Sequence, residues 1–137
     1  MKKNDKGLFY CTDTTPKSNT QYSYMVRAYD SGYMGAFSNS RDVIYLDPVS
    51  VTSAVAGKGS ITIKWTSAEC DFYEVLRSDD SGDFSFKVFK VDKDKTTYVD
   101  TEVVSGVTYN YSVVATGGPK GATERGACAQ EKTCTAK

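Results

Sequence analysis

The sequence predicts an all-β chain whose larger part folds as a Greek-key β-sandwich of about seven strands. Three observations carry this. Apolar and polar residues alternate with period two from Ser60 onward, with no useful run at helical spacing. Ten Tyr, six Phe and one Trp in 137 residues, with Thr and Val around them, suit pleated, half-buried surfaces. Clusters of turn formers recur between the alternating runs, as they do in a sandwich.

The elements follow in order. "PVSVTSAVA" (48–56) is the first strand candidate. "SITIKWT" (60–66) puts Ile61, Ile63 and Trp65 on one face and Thr62, Lys64 and Thr66 on the other. "DFYEVLRS" (71–78) sets Tyr73 and Val75 opposite Glu74, and "SDDSGD" (78–83) turns the chain so that "FSFKVFKV" (84–91) returns as a hairpin. "TTYVD" (96–100) is a short strand after the charged break "DKDK", and "TEVVSG" leads into "VTYNYSVVA" (107–115). Gly117, Gly118, Pro119 and Gly121 make a long loop, and "RGACAQEKTC" (125–134) is expected to be the last strand. That strand is unusually polar.

The first 46 residues repeat part of this text. "TQYSYMVRA" (20–28) matches "VTYNYSVVA" at an offset of 87 residues, and "CTDT" (11–14) sits against "YVDT" (98–101) at the same offset. "SGYMGAFSNS" then replaces the Gly-rich loop, and "RDVIYL" replaces the last strand. Met1 aligns near Val88, mid-sandwich. Residues 1–46 are therefore read as the C-terminal half of a truncated unit and 47–137 as a complete one, joined through the Pro48-stiffened "YLDPVSV". Three strands with one apolar face are marginal alone. A second copy, another chain or packing on the complete unit is expected to cover Tyr22, Tyr24 and Val26.

Composition excludes several functions. Seventeen basic and seventeen acidic side chains leave no net charge, so no whole-chain field gathers nucleic acid. No apolar run has membrane-spanning length, which argues against membrane insertion. The chain contains no histidine, which removes the usual general base and the imidazole metal ligand. "SDDSGD" lacks the ligand spacing of a calcium loop. Four cysteines (11, 70, 128 and 134) include no closely spaced pair, so zinc is not expected. No cofactor is implied. Asn110-Tyr111-Ser112 reads as a glycosylation acceptor but falls mid-strand. "MKKNDKGLFYC" has a basic start without the apolar stretch of a signal peptide.

The order of "ITIKW", "YEVLRS" and "GVTYNYSVVA" resembles a fibronectin type III domain, an immunoglobulin-like sandwich. The similarity is to the tandem versions found in secreted and cell-wall proteins of gut Firmicutes. The resemblance implies that Trp65 is the core tryptophan and that Tyr109 bonds back at a strand corner, with Tyr22 its counterpart in the half repeat. It also implies that Cys70 and Cys128 lie at one end of the sandwich, where they are candidates for a disulfide or stay as free thiols. Arg125-Gly126-Ala127 stands where some animal relatives carry Arg-Gly-Asp, but its third residue has no carboxylate. Tyr29, Tyr33, Met34 and Phe37 cluster at the equivalent loop of the half repeat, to stack on sugar or pack on a neighbouring domain. The implied function is that of a non-catalytic spacer and interaction module of a longer exported bacterial surface protein. Its partners would be neighbouring domains and a protein or glycan; the alternative is a carbohydrate-binding module.

Overall fold

The computed structural model describes residues 2–80, 86–119 and 123–137, and every regular element among them is a strand. The expected turn at 78–83 and the loop around Gly121 fall partly outside the described residues. At the N-terminus β1 (Lys2–Lys3) and β2 (Phe9–Tyr10) form a small hairpin. β3 (Thr20–Tyr24) follows, then the hairpin of β4 (Tyr29–Asp30) and β5 (Tyr33–Met34). Ser31 and Gly32 at its tip both have positive φ, 46° and 91°, the twist that a two-residue hairpin needs. β6 (Arg41–Tyr45) then pairs antiparallel with β3.

Residues 49–135 build the sandwich. β7 (Val49–Gly57) and β8 (Ser60–Trp65) form a hairpin, and β9 (Phe72–Asp79) starts the second sheet with β10 (Lys87–Asp92). β11 (Thr97–Asp100) returns to β8, and β12 (Thr108–Gly117) returns to β9. One sheet therefore runs β11-β8-β7 and the other β10-β9-β12. Val49, Val51, Ile61, Ile63, Tyr73, Val75, Tyr111 and Val113 meet between them with no exposed surface. Each such side chain contributes about 1.5–3 kcal/mol of burial. Trp65 sits at the edge of this layer, its ring edge-on to Tyr73 with centroids 5.5 Å apart.

Two elements differ from the sequence reading. The last strand is not continuous: it divides into β13 (Glu124–Arg125), β14 (Cys128–Gln130) and β15 (Lys132–Thr135). β13 and β15 pair with β12, whereas β14 crosses to the other sheet and runs parallel to β7, Cys128 opposite Val49. Gly126 permits the crossing, since a Cβ there would sit 3.0 Å from Leu46 Cβ and 3.3 Å from Ala115 O. The second difference lies at 11–14, where no strand forms. Its counterpart β11 exists by pairing with β8, whereas among the described residues no strand pairs with 11–14.

Candidate interaction surface

A buried polar corner organises the sandwich. Asp100 has no exposed surface, yet its carboxylate accepts from Arg77 Nη1 at 2.7 Å, from the Tyr111 hydroxyl at 2.9 Å and from the Glu102 amide at 3.0 Å. A carboxylate this deep persists because charge-assisted bonds replace its water. The Arg77 guanidinium also donates to Glu102 O and lies over the rings of Tyr109 and Phe89, at 4.9 and 5.5 Å. Burial, and then the Asp100 carboxylate, push the Tyr111 hydroxyl far above the usual phenol range. The Tyr109 hydroxyl accepts from Val104 N at 3.0 Å, five residues back, and closes the corner.

The same corner recurs 87 residues earlier with its tyrosine and backbone bonds but without the arginine. The Tyr22 hydroxyl accepts from Lys17 N at 2.8 Å, Tyr24 donates to Asp13 at 2.9 Å, and Thr15 N donates to Asp13 at 2.9 Å. Asn19 has φ of 54° where Gly106 has 84°. What changes is the cover. Tyr24 is 39% exposed where Tyr111 is fully buried, and among the described residues no arginine pairs with Asp13. The hydrogen bonds from Thr15 and Tyr24 hold the Asp13 carboxyl below its ordinary range, and the Asp13 bond raises Tyr24. Sequence reasoning aligned Asp13 with Asp100 but assigned neither a role. Two tyrosines and one aspartate at a single offset were the available signal.

Above this corner lies an open, mainly apolar groove of about 620 Å³, between 11–16 and the facing side chains of Tyr22, Tyr24, Val26, Val43 and Tyr45. The sandwich touches the segment elsewhere: Ser18 Oγ donates to Glu69 O at 2.9 Å and accepts from Asp47 N, and Asn19 Nδ2 donates to Asp71 at 3.0 Å. Those bonds fix the junction but leave the groove uncovered.

Tyr29, Tyr33 and Met34 lie on the β4–β5 hairpin and Phe37 just beyond it, all exposed, Tyr33 to 83%. Arg27 stacks on Phe37 at 4.8 Å. Tyr29 is opposite Met34, and Tyr33 is opposite Asp30. Arg125 is engaged rather than presented: its guanidinium grips the Glu74 carboxylate with Nε and Nη2. All four thiols are free in this structure. Cys70 is buried next to the end of β12, where Asp71 N donates to Thr116 O, and desolvation raises its pKa. Cys128 Sγ contacts Gln130 O at 3.3 Å. Because the chain bends between β14 and β15, the separation of Cys128 and Cys134 is not that of one straight strand. Among the described residues, no group of three or more His, Cys, Asp or Glu is placed to hold a metal ion.

Comparison with known proteins supports the architecture. A solved Fn3-like protein from Clostridium thermocellum matches 67% of this chain and 94% of its own, with a TM-score of 0.51 at 25% identity. The fold is that of a fibronectin type III domain. A β-1,2-glucanase structure from Parabacteroides distasonis superposes on 67% of the chain with a TM-score of 0.57 at 22% identity. Among curated proteins, an amylopullulanase of Thermoanaerobacterium thermosulfurigenes is 29% identical over 119 residues, 77% of this chain. The chain spans 6% of that amylopullulanase and 13% of the glucanase. No family model matches the sequence. In fibronectin type III terms, β7 to β12 are the first six strands, and β13 to β15 together make the seventh.

Proposed function

We propose that the chain is a non-catalytic spacer and interaction module of a larger carbohydrate-active protein that works outside the cell or at its surface. In this reading residues 47–137 are one complete fibronectin type III unit and 1–46 the C-terminal half of another. One observation carries it: the chemically conspicuous side chains of the sandwich are spent on holding it together. Arg77 and Tyr111 bond Asp100, Arg125 holds Glu74, and Trp65 packs on Tyr73. The small share of the amylopullulanase that the chain matches fits a module rather than a hydrolase domain. The reading frame around this gene is expected to encode a hydrolase domain, and one encoding only cytoplasmic metabolic domains would overturn the reading.

A second reading is favoured by the exposed hairpin. Tyr29, Tyr33, Met34 and Phe37 form an aromatic surface of the kind that stacks on sugar rings. Affinity electrophoresis in pullulan and in β-1,2-glucan, polymers suggested by the relatives' names, separates the two. Unretarded migration supports the spacer. Retardation that Tyr33→Ala abolishes supports a carbohydrate-binding module.

A further inference from the structure

We propose that the end of the sandwich facing residues 1–46 is a socket keyed to one side chain, Asn19, and that it holds the two units in a single relative orientation. Two glycines point there. Gly117, the last residue of β12, is buried and has no left-handed φ that would call for glycine. A Cβ at 117 would lie 2.2 Å from Asn19 Oδ1, so the bare backbone makes room for a side chain of the adjoining unit. Gly126, where the last strand changes sheets, repeats the device: a Cβ there would meet Leu46 Cβ at 3.0 Å and Asp47 O at 3.6 Å. Leu46 is buried and belongs to the core of the sandwich. One glycine seats the corner, the other the linker.

Hydrogen bonds close the socket. Asn19 Nδ2 donates to the Asp71 carboxylate at 3.0 Å, while Ser18 Oγ donates to Glu69 O at 2.9 Å and accepts from Asp47 N at 2.8 Å. Ser18 and Asn19 are both half-buried. Pro48 removes one of the few torsions left in the linker. A hinge motion would have to release these bonds and both glycine contacts together. The complete unit carries its own corner at the repeat offset, with Ser105 in place of Ser18 and Gly106 in place of Asn19. That corner keeps the serine and lacks the amide, so the socket discriminates between corners: it grips Ser-Asn and would hold Ser-Gly loosely. The socket rests on the proposed reading of 1–46 and 47–137 as consecutive units of a spacer, and it makes that spacer one of fixed shape.

Asn19→Gly tests the socket in the intact chain. With φ of 54° at Asn19 and 84° at Gly106, glycine keeps the backbone of the corner and removes the side chain alone. In the unmodified chain, residual dipolar couplings of β3 and β6 should fit the alignment tensor of the sandwich. In the variant they should need a tensor of their own. Amide exchange at Asp47, whose N–H Ser18 holds, should quicken about fivefold, as for one ordinary hydrogen bond. Asp71→Ala, made on the sandwich side and leaving 1–46 untouched, should do the same, and combining the two changes should add little. Two results would overturn the proposal: separate tensors in the unmodified chain, or couplings and Asp47 exchange that neither substitution alters. Either would leave the spacer reading, which the surrounding reading frame tests, in place.

Discussion

Replacing Asp100 by Asn removes one charge from the centre of the sandwich while preserving its shape. The amide oxygen can still accept from Glu102 N, so the turn survives. Arg77 loses its 2.7 Å partner, and Tyr111 loses the acceptor at 2.9 Å. With side-chain exposures of 12% for Arg77 and zero for Asp100, solvent cannot replace the lost charge. Breaking a buried pair from one side costs about 3–5 kcal/mol. Arg77 keeps the Glu102 carbonyl and two aromatic faces, which places the cost near the lower bound, about 3 kcal/mol. Urea unfolding followed through Trp65 fluorescence reads it. With a slope of roughly 1 kcal/mol per molar for a domain this small, the midpoint falls by roughly 2–3 M. Asp13→Asn makes the same change in the uncovered corner and should leave that midpoint where it was. A cost below about 1 kcal/mol for Asp100→Asn, or an equal cost at both sites, would refute the claim that cover by β9 gives the corner its strength.

Three further outcomes follow from the same geometry. Tyr111 resists ionisation when folded and titrates normally when unfolded, so above pH of about 10 the unfolded state binds fewer protons and gains ground. Stability should be full below that pH and decline above it at about 1.4 kcal/mol per pH unit per buried tyrosine, with Tyr111→Phe making the decline shallower. Gly117→Ala would drive a Cβ into the Asn19 side-chain oxygen and break its bond to Asp71. Faster amide exchange at 18–20 with an unchanged urea midpoint is expected; a large fall in the midpoint would show that the junction is part of the sandwich core. Under reducing conditions Cys11, exposed, should alkylate first and Cys70, buried with a raised pKa, last. After oxidative purification, mass spectrometry reads the proposed Cys70–Cys128 pairing directly, and four labelled thiols would exclude it.

The parts of the fold legible in sequence were those whose pattern is local. Ile61, Ile63 and Trp65 alternate along one strand, and Tyr109, Tyr111 and Val113 along another, so period two was enough to orient them inward. The divided last strand was not legible, because its polar residues do not alternate and Gly126 lets the chain change sheets. Nor was the missing strand at 11–14. Its text matches β11, but a strand also needs a partner, and the partner lies outside the repeated phrase. The Arg77–Asp100 pair joins residues 23 apart across two sheets, a relation that no local pattern encodes. The exposed hairpin was legible as a group of aromatics, while its chemistry depends on what meets it.

The most direct test of the whole account is residue-resolved amide exchange on the intact chain, at concentrations where sedimentation shows a monomer. One corner motif is written twice, covered in the sandwich and uncovered in the N-terminal segment. Residues 109–113 should exchange only through global unfolding, at least about a hundredfold more slowly than residues 22–26. Equal protection of the two stretches in the monomer would contradict it.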